Sequence, residues 1–240
     1  MEELLFVILI FCATFIQSLT GFGGPLLAMP LGIVLIGINT AKPVISMMAW
    51  IAAFLVAAPR YKDINWKKLL IMTSIMMVGV IVGDLFFDSV PSLTPLLIFY
   101  ALVVFVIGGK RLLFPNSWTL TVPAQYGALG IAGIMQGLFI SGGSFLVLYA
   151  VEQIREKNEF RATVSAVWVP LNTYLLIKYA VSGAFTASVL HLSSLIILPE
   201  LAAIWLAGRL AKRLNQATFL KITYAVLAVS GIVLLINSLA

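Results

Sequence analysis

The chain has 240 residues, 62% of them hydrophobic and only 10% charged, with a mean hydropathy of +1.10 and a formal net charge of +6. Soluble domains carry about 25% charged residues, and here apolar runs near the length of a membrane helix recur from end to end, which excludes a soluble bundle. The bases lie in short clusters between those runs, which the positive-inside rule explains without nucleic acid. The lone Cys12 and lone His191 leave no intrachain disulfide or metal site to build, and no cofactor is expected.

The N-terminus, Met1-Glu2-Glu3, lacks the basic stretch of a cleaved signal, so the first apolar segment is expected in the mature protein. That segment covers residues 4–38, about 50 Å as one helix against a hydrocarbon core of about 30 Å. Gln17-Ser18-Leu19-Thr20-Gly21-Phe22-Gly23-Gly24-Pro25 interrupts it, leaving pieces at 4–18 and 25–37, each too short to cross alone. Pro25 suits the first turn of the second piece. Spans are then expected at 43–58, 69–87 and 94–113, with a basic loop at 59–68 that carries Trp66 and with Asp84 and Asp88 at a far end. Gly79 and Gly83 are spaced for close helix packing. A linker at 114–123 follows.

The second half repeats the plan: a broken segment at 124–150, a charged loop at 152–161, spans at 160–181 and 185–206, a basic loop at Arg209-Lys212-Arg213 and a last span at 217–239. The repeat extends to residues. Adding 119 maps Gln17 onto Gln136, Leu19 onto Leu138, Gly23-Gly24 onto Gly142-Gly143, Lys42 onto Arg161 and Ser46 onto Ser165.

Charge decides between two topologies. If each broken segment crosses once, Lys and Arg divide almost evenly between the two sides, against the usual bias. If each turns at its glycines and returns, every Lys and Arg except Lys42 and Lys178 falls on one side. Each half then has three full crossings, an odd number, and the halves are inverted. The expected fold is an all-α polytopic membrane protein of two inverted-topology repeats, 1–113 and 124–240. Each repeat holds a broken, re-entrant-like helical hairpin plus three spanning helices. The basic side is read as cytoplasmic and both termini as outside.

Inverted repeats with broken helices near the midplane mark secondary transporters. Helix starts carry partial positive charge and attract anions. The two breaks therefore suggest one site for a small anion, with Gln17, Thr20, Gly23, Gly24, Gln136, Ser141, Gly142, Gly143 and Ser144 as candidate binding residues. Gly133-xxx-Gly137 reads equally as helix packing. Lys42 and Arg161 either attract anions at the two mouths or snorkel to headgroups; for Arg161 a salt bridge within its acidic neighbourhood is a third reading. Asn172 either supports the second break or packs helices. Glu200 either couples transport to protons or pairs with Lys178 or Arg209. A homo-oligomer is left open.

The Gly-Phe-Gly-Gly motif at 21–24, Ser141-Gly142-Gly143 and Phe160-Arg161-Ala162-Thr163, in that order and spacing, resemble the sulfite exporter TauE/SafE family. Pro25 and Ser144 depart from the glycine or proline common there. The resemblance implies transport of small sulfur-containing anions such as sulfite or sulfoacetate, generally outward across a bacterial inner membrane. An importer of sulfur-containing anions, a passive anion channel and a membrane scaffold or enzyme subunit are the competing readings. No phosphate-binding loop or nucleophile–base pair points to ATP drive or to an enzyme.

Overall fold

The computed structural model describes residues 2–87 and 120–239, with isolated positions between them and without some side chains late in the last helix. The described residues form helices and no strand: α1 (Glu2–Thr20), α2 (Gly24–Ile36), α3 (Ile38–Ala57), a 3-10 turn (Ala58–Asp63), α4 (Trp66–Phe87), α5 (Val122–Phe139), α6 (Gly143–Gln153), α7 (Lys157–Val181), α8 (Ala187–Arg213) and α9 (Gln216–Leu239). The expected span at 94–113, Asp88 and most of the linker at 114–123 fall outside the described residues. Among the described residues, five segments are long and apolar enough to cross a membrane: Glu2–Thr20, Ile38–Asp63, Trp66–Phe87, Lys157–Val181 and Ala187–Arg213.

Several boundaries differ from the sequence-based expectation. Helix α1 is 19 residues long, about 28 Å, so the first half-segment is long and apolar enough to cross a membrane. Two features lengthen it: Glu2 and Glu3 sit in its first turn, where acids favour the helix dipole, and the break comes only after Thr20. Residues 38–42, left between the pieces expected at 25–37 and 43–58, belong to the start of α3, directly after Gly37. The charged loop expected at 152–161 shrinks to residues 154–156, because the Glu156 side chain accepts from the Glu159 N–H and starts α7 at Lys157. Arg209, Lys212 and Arg213 are not in a loop but in the closing turns of α8, where cations suit the helix end.

Both broken segments are helical hairpins. In the first, Gly24 backs onto Ala13 and Gln17, and Gly32 onto Phe6, so α2 runs antiparallel to α1. In the second, Gly142 backs onto Ala132, the Tyr126 and Tyr149 rings stand 5.7 Å apart, and Gln153 donates to Gln125 at 2.7 Å. The halves are joined by backbone contact. A Cβ on Gly133 would stand 2.3 Å from the Met76 carbonyl oxygen, one on Gly137 2.3 Å from that of Val80, and one on Gly83 2.3 Å from that of Ile134. These glycines therefore set the α4–α5 crossing. Helix α1 packs on α8, and α3 packs on α7, where the Trp50 indole N–H reaches Thr173 Oγ1 at 2.8 Å.

Each main core draws on both halves. Phe22 and Leu26 of the first half sit among Phe145, Leu146, Val164 and Val167 of the second. Reciprocally, Ile140, Val189 and Ile196 of the second half sit among Phe6, Val44, Ile45 and Met48 of the first.

Candidate functional site

The first elbow, Gly21-Phe22-Gly23, needs left-handed backbone at both glycines, with φ of +92° and +87°. Thr20 fixes its shape: the hydroxyl donates to the Ile16 carbonyl at 2.8 Å and lies 2.8 Å from the Phe22 carbonyl. The indole N–H of Trp168 on α7 holds the Gly21 carbonyl at 2.8 Å. The second elbow uses Ile140, not a glycine, in the left-handed region, with φ of +56°. Its place in the repeat is that of Gly21. A β-branched residue there is a true outlier, and its side chain is buried in the first-half core.

The two elbows touch. A Cβ placed on Gly143 would stand 3.3 Å from Phe22 Cβ and 3.4 Å from the Gly23 nitrogen. Between them lies a cavity of about 10 Å³ lined by Gln17, Phe22, Gly23, Pro25, Leu26, Ala49, Gln136, Ile140, Ser141, Gly143, Trp168 and Asn172. That is room for about one water molecule. No charged side chain is among the lining residues.

The matched glutamines are held differently. Gln17 donates through Nε2 to the Ala49 carbonyl at 3.1 Å, which leaves Oε1 without a partner. Gln136 donates to Asn172 Oδ1 at 3.0 Å and accepts from the Gly142 N–H at 3.2 Å, which leaves the Asn172 Nδ2 donors unpartnered. Asn172 is fully buried and lines the cavity. A buried amide left unpaired costs about 1–3 kcal/mol, so a donor kept bare here is suited to a ligand acceptor. Helices α2 and α6 begin at Gly24 and Gly143, and the first amides of any helix lack intrahelical acceptors.

Of the candidate residues, Gln17, Gly23, Gln136, Ser141, Gly143 and Asn172 line this cavity. Thr20, Gly24, Gly142 and Ser144 do not. Thr20 braces the elbow, Gly24 and Gly142 are pressed against the preceding helix of each hairpin, and the buried Ser144 hydroxyl has no partner. Trp168 falls within the span expected at 160–181, and its contact with an elbow depends on α7 lying beside the end of α1.

The charged candidates lie away from the cavity. Lys42 is buried with its ammonium 3.6 Å from the Phe87 ring centroid. Arg161 is buried in α7, and its Nε–H donates to the Ser18 carbonyl at 2.5 Å; neither Glu156 nor Glu159 pairs with it. Glu200 is fully buried in α8 with no hydrogen bond to either oxygen; the Ala52 main chain is the polar group that comes near. The two cations considered for it are engaged elsewhere, Lys178 with Asp84 and Arg209 over the Trp205 ring at 3.7 Å. Among the described residues no group of acids, His and Cys is placed to hold a metal.

No curated protein and no solved structure matches the chain. The family model described as sulfite exporter TauE/SafE matches residues 6–234. With its apolar helices, the chain is a multi-pass membrane protein, and it belongs to the sulfite exporter TauE/SafE transporter family.

Proposed function

We propose that this protein is a secondary transporter of a small sulfur oxyanion or organosulfonate, such as sulfite or sulfoacetate, and exports it by alternating access. The observation that carries the reading is the meeting of the two elbows at one neutral cavity. There the bare Asn172 amide and the starts of α2 and α6 offer N–H donors without a fixed charge. Such a site attracts an anion yet holds it weakly enough to release. At about 10 Å³ the cavity is too small for an oxyanion, so loading requires the hairpins to part.

Inverted repeats at 1–113 and 124–240 are part of this reading. Contacts between the halves and at the open ends of the hairpins support them. Helix α1 packs on α8 as its counterpart α5 packs on α4. The open end of the first hairpin shares a pocket with Glu2, Thr40 and His191. The open end of the second lies by the basic stretches, where Lys68 bonds Gln153 and Asn65 bonds Glu159. We place the basic end in the cytoplasm and the termini outside, in a bacterial inner membrane, and Glu200 as the group that couples transport to a proton gradient.

The test is flux into proteoliposomes. Saturable uptake with sulfite or sulfoacetate counterflow is expected. Large unitary currents without counterflow would favour a channel, and a folded protein with no anion flux would overturn the reading.

A further inference from the structure

Arg161 is only 3% exposed. Its carbonyl oxygen stands 3.2 Å from where a Cβ on Gly21 would be, so its backbone supports the first elbow. Its one hydrogen bond to a described residue goes to the Ser18 carbonyl in the last turn of α1, a place that suits a cation. That uses one of five guanidinium N–H groups. No acid among the described residues forms an ion pair with it. Arg60 stands on the 3-10 turn that packs against α7, with Asp63 on the same turn. A buried cation lacking a counter-ion costs several kcal/mol; an arriving anion supplies one.

What lies beyond Arg161 gives this charge a direction. Arg161, Ser165, Trp168 and Asn172 recur at the spacing of one helix face and are all buried. They span about 16 Å of α7. Ser165 Oγ is 3.4 Å from the Cβ position of Gly21, Trp168 bonds the Gly21 carbonyl, and Trp168 and Asn172 line the cavity. The matched positions on α3 are Lys42, Ser46, Ala49 and Ala53. There the polar groups stop after one turn, and the cation lies over the Phe87 ring.

We propose that Arg161, with Arg60, forms a second anion site: a loading position for a small soluble oxyanion on the basic face, from which the α7 stripe leads to the elbow cavity. This rests on the transport reading above. The site would favour uptake from the basic face, and its absence on α3 would make the two faces unequal.

The experiment measures sulfite KM from each face of oriented proteoliposomes for the wild type, Arg161→Gln, Arg161→Lys and Arg60→Gln. Arg161→Gln is expected to raise KM from the basic face about tenfold or more and to leave KM from the other face near wild type. Arg161→Lys should restore part of the loss, and Arg60→Gln should raise the same KM to a smaller degree. In detergent, sulfite should raise the melting temperature of the wild type more than that of Arg161→Gln, with or without phosphatidylglycerol. Unchanged KM in Arg161→Gln would overturn the proposal while leaving the transport reading intact. So would equal losses from both faces that follow a lowered melting temperature and are not restored by lysine. Stabilisation by phosphatidylglycerol alone, lost in Arg161→Gln, would assign the cations to a lipid headgroup and overturn it. A folded wild type without flux would sink the transport reading and this proposal with it.

Discussion

Gly143 lies against Phe22, with 3.3 Å between the Phe22 Cβ and the place a Gly143 Cβ would occupy. This contact closes the cavity from both halves at once, and it separates two kinds of glycine in the second elbow. Gly143→Ala is tight but accommodated by a small shift, so the variant should fold and transport several-fold more slowly. Gly142→Ala would bring its Cβ to 2.1 Å from the Ala132 carbonyl oxygen and should cost about 1–3 kcal/mol as overpacking. Parallel flux and thermal-melting measurements on the two variants check this.

Asn172→Asp should retain an oxygen acceptor for Gln136 but replace the bare donor with a second oxygen. Sulfite flux should fall by about tenfold or more, the scale of losing a hydrogen bond to a charged group. The measurement is initial-rate uptake at fixed protein density, with circular dichroism to confirm the fold.

The crossing of α4 and α5 should respond as pure packing. Gly133→Ala would press a methyl into the Met76 carbonyl, at a cost of about 1–3 kcal/mol. The expected result is a lower melting temperature and lower folded yield, with sulfite KM unchanged in the protein that survives purification.

Asp84 and Lys178 tie α4 to α7, with Asp84 buried and Lys178 partly exposed. Asp84→Asn should destabilise by about 1–3 kcal/mol, less than a fully buried pair because water reaches the lysine. Adding Lys178→Met should recover much of that loss. A double-mutant thermal cycle reads the coupling directly.

Glu200→Gln keeps the size of a side chain that no described cation pairs with, so its melting temperature should stay near wild type. If Glu200 couples transport to protons, the variant retains sulfite–sulfite exchange and loses accumulation driven by a pH gradient. Equal loss of both would remove Glu200 from coupling.

The sequence revealed the breaks because Gly21-Phe22-Gly23-Gly24 and Ser141-Gly142-Gly143 are too polar and too glycine-rich for the apolar runs around them. The glutamines stood out for the same reason, and Gln17 and Gln136 do line the cavity. Helix ends were harder to read. Glu156 was visible as an acid but not as the cap that begins α7, since a capping role depends on local backbone shape. Thr20 and Gly24, read as binding residues, flank the first elbow and do not line the cavity, because which face of an elbow meets the cavity depends on the opposite hairpin. The partners of Arg161 were least legible: Glu156 and Glu159 are its neighbours in sequence, yet its guanidinium bonds Ser18 on another helix.

Ile140 gives the second elbow a mechanical property that its glycine counterpart lacks. Left-handed backbone costs a residue with a side chain about 1–2 kcal/mol, and here the bend persists while that side chain is buried in the first-half core. Withdrawing Ile140 from that core would release the tension and the grip together. The bend of the second hairpin is therefore tied to the burial of one side chain, whereas Gly21 adopts its left-handed backbone without that strain.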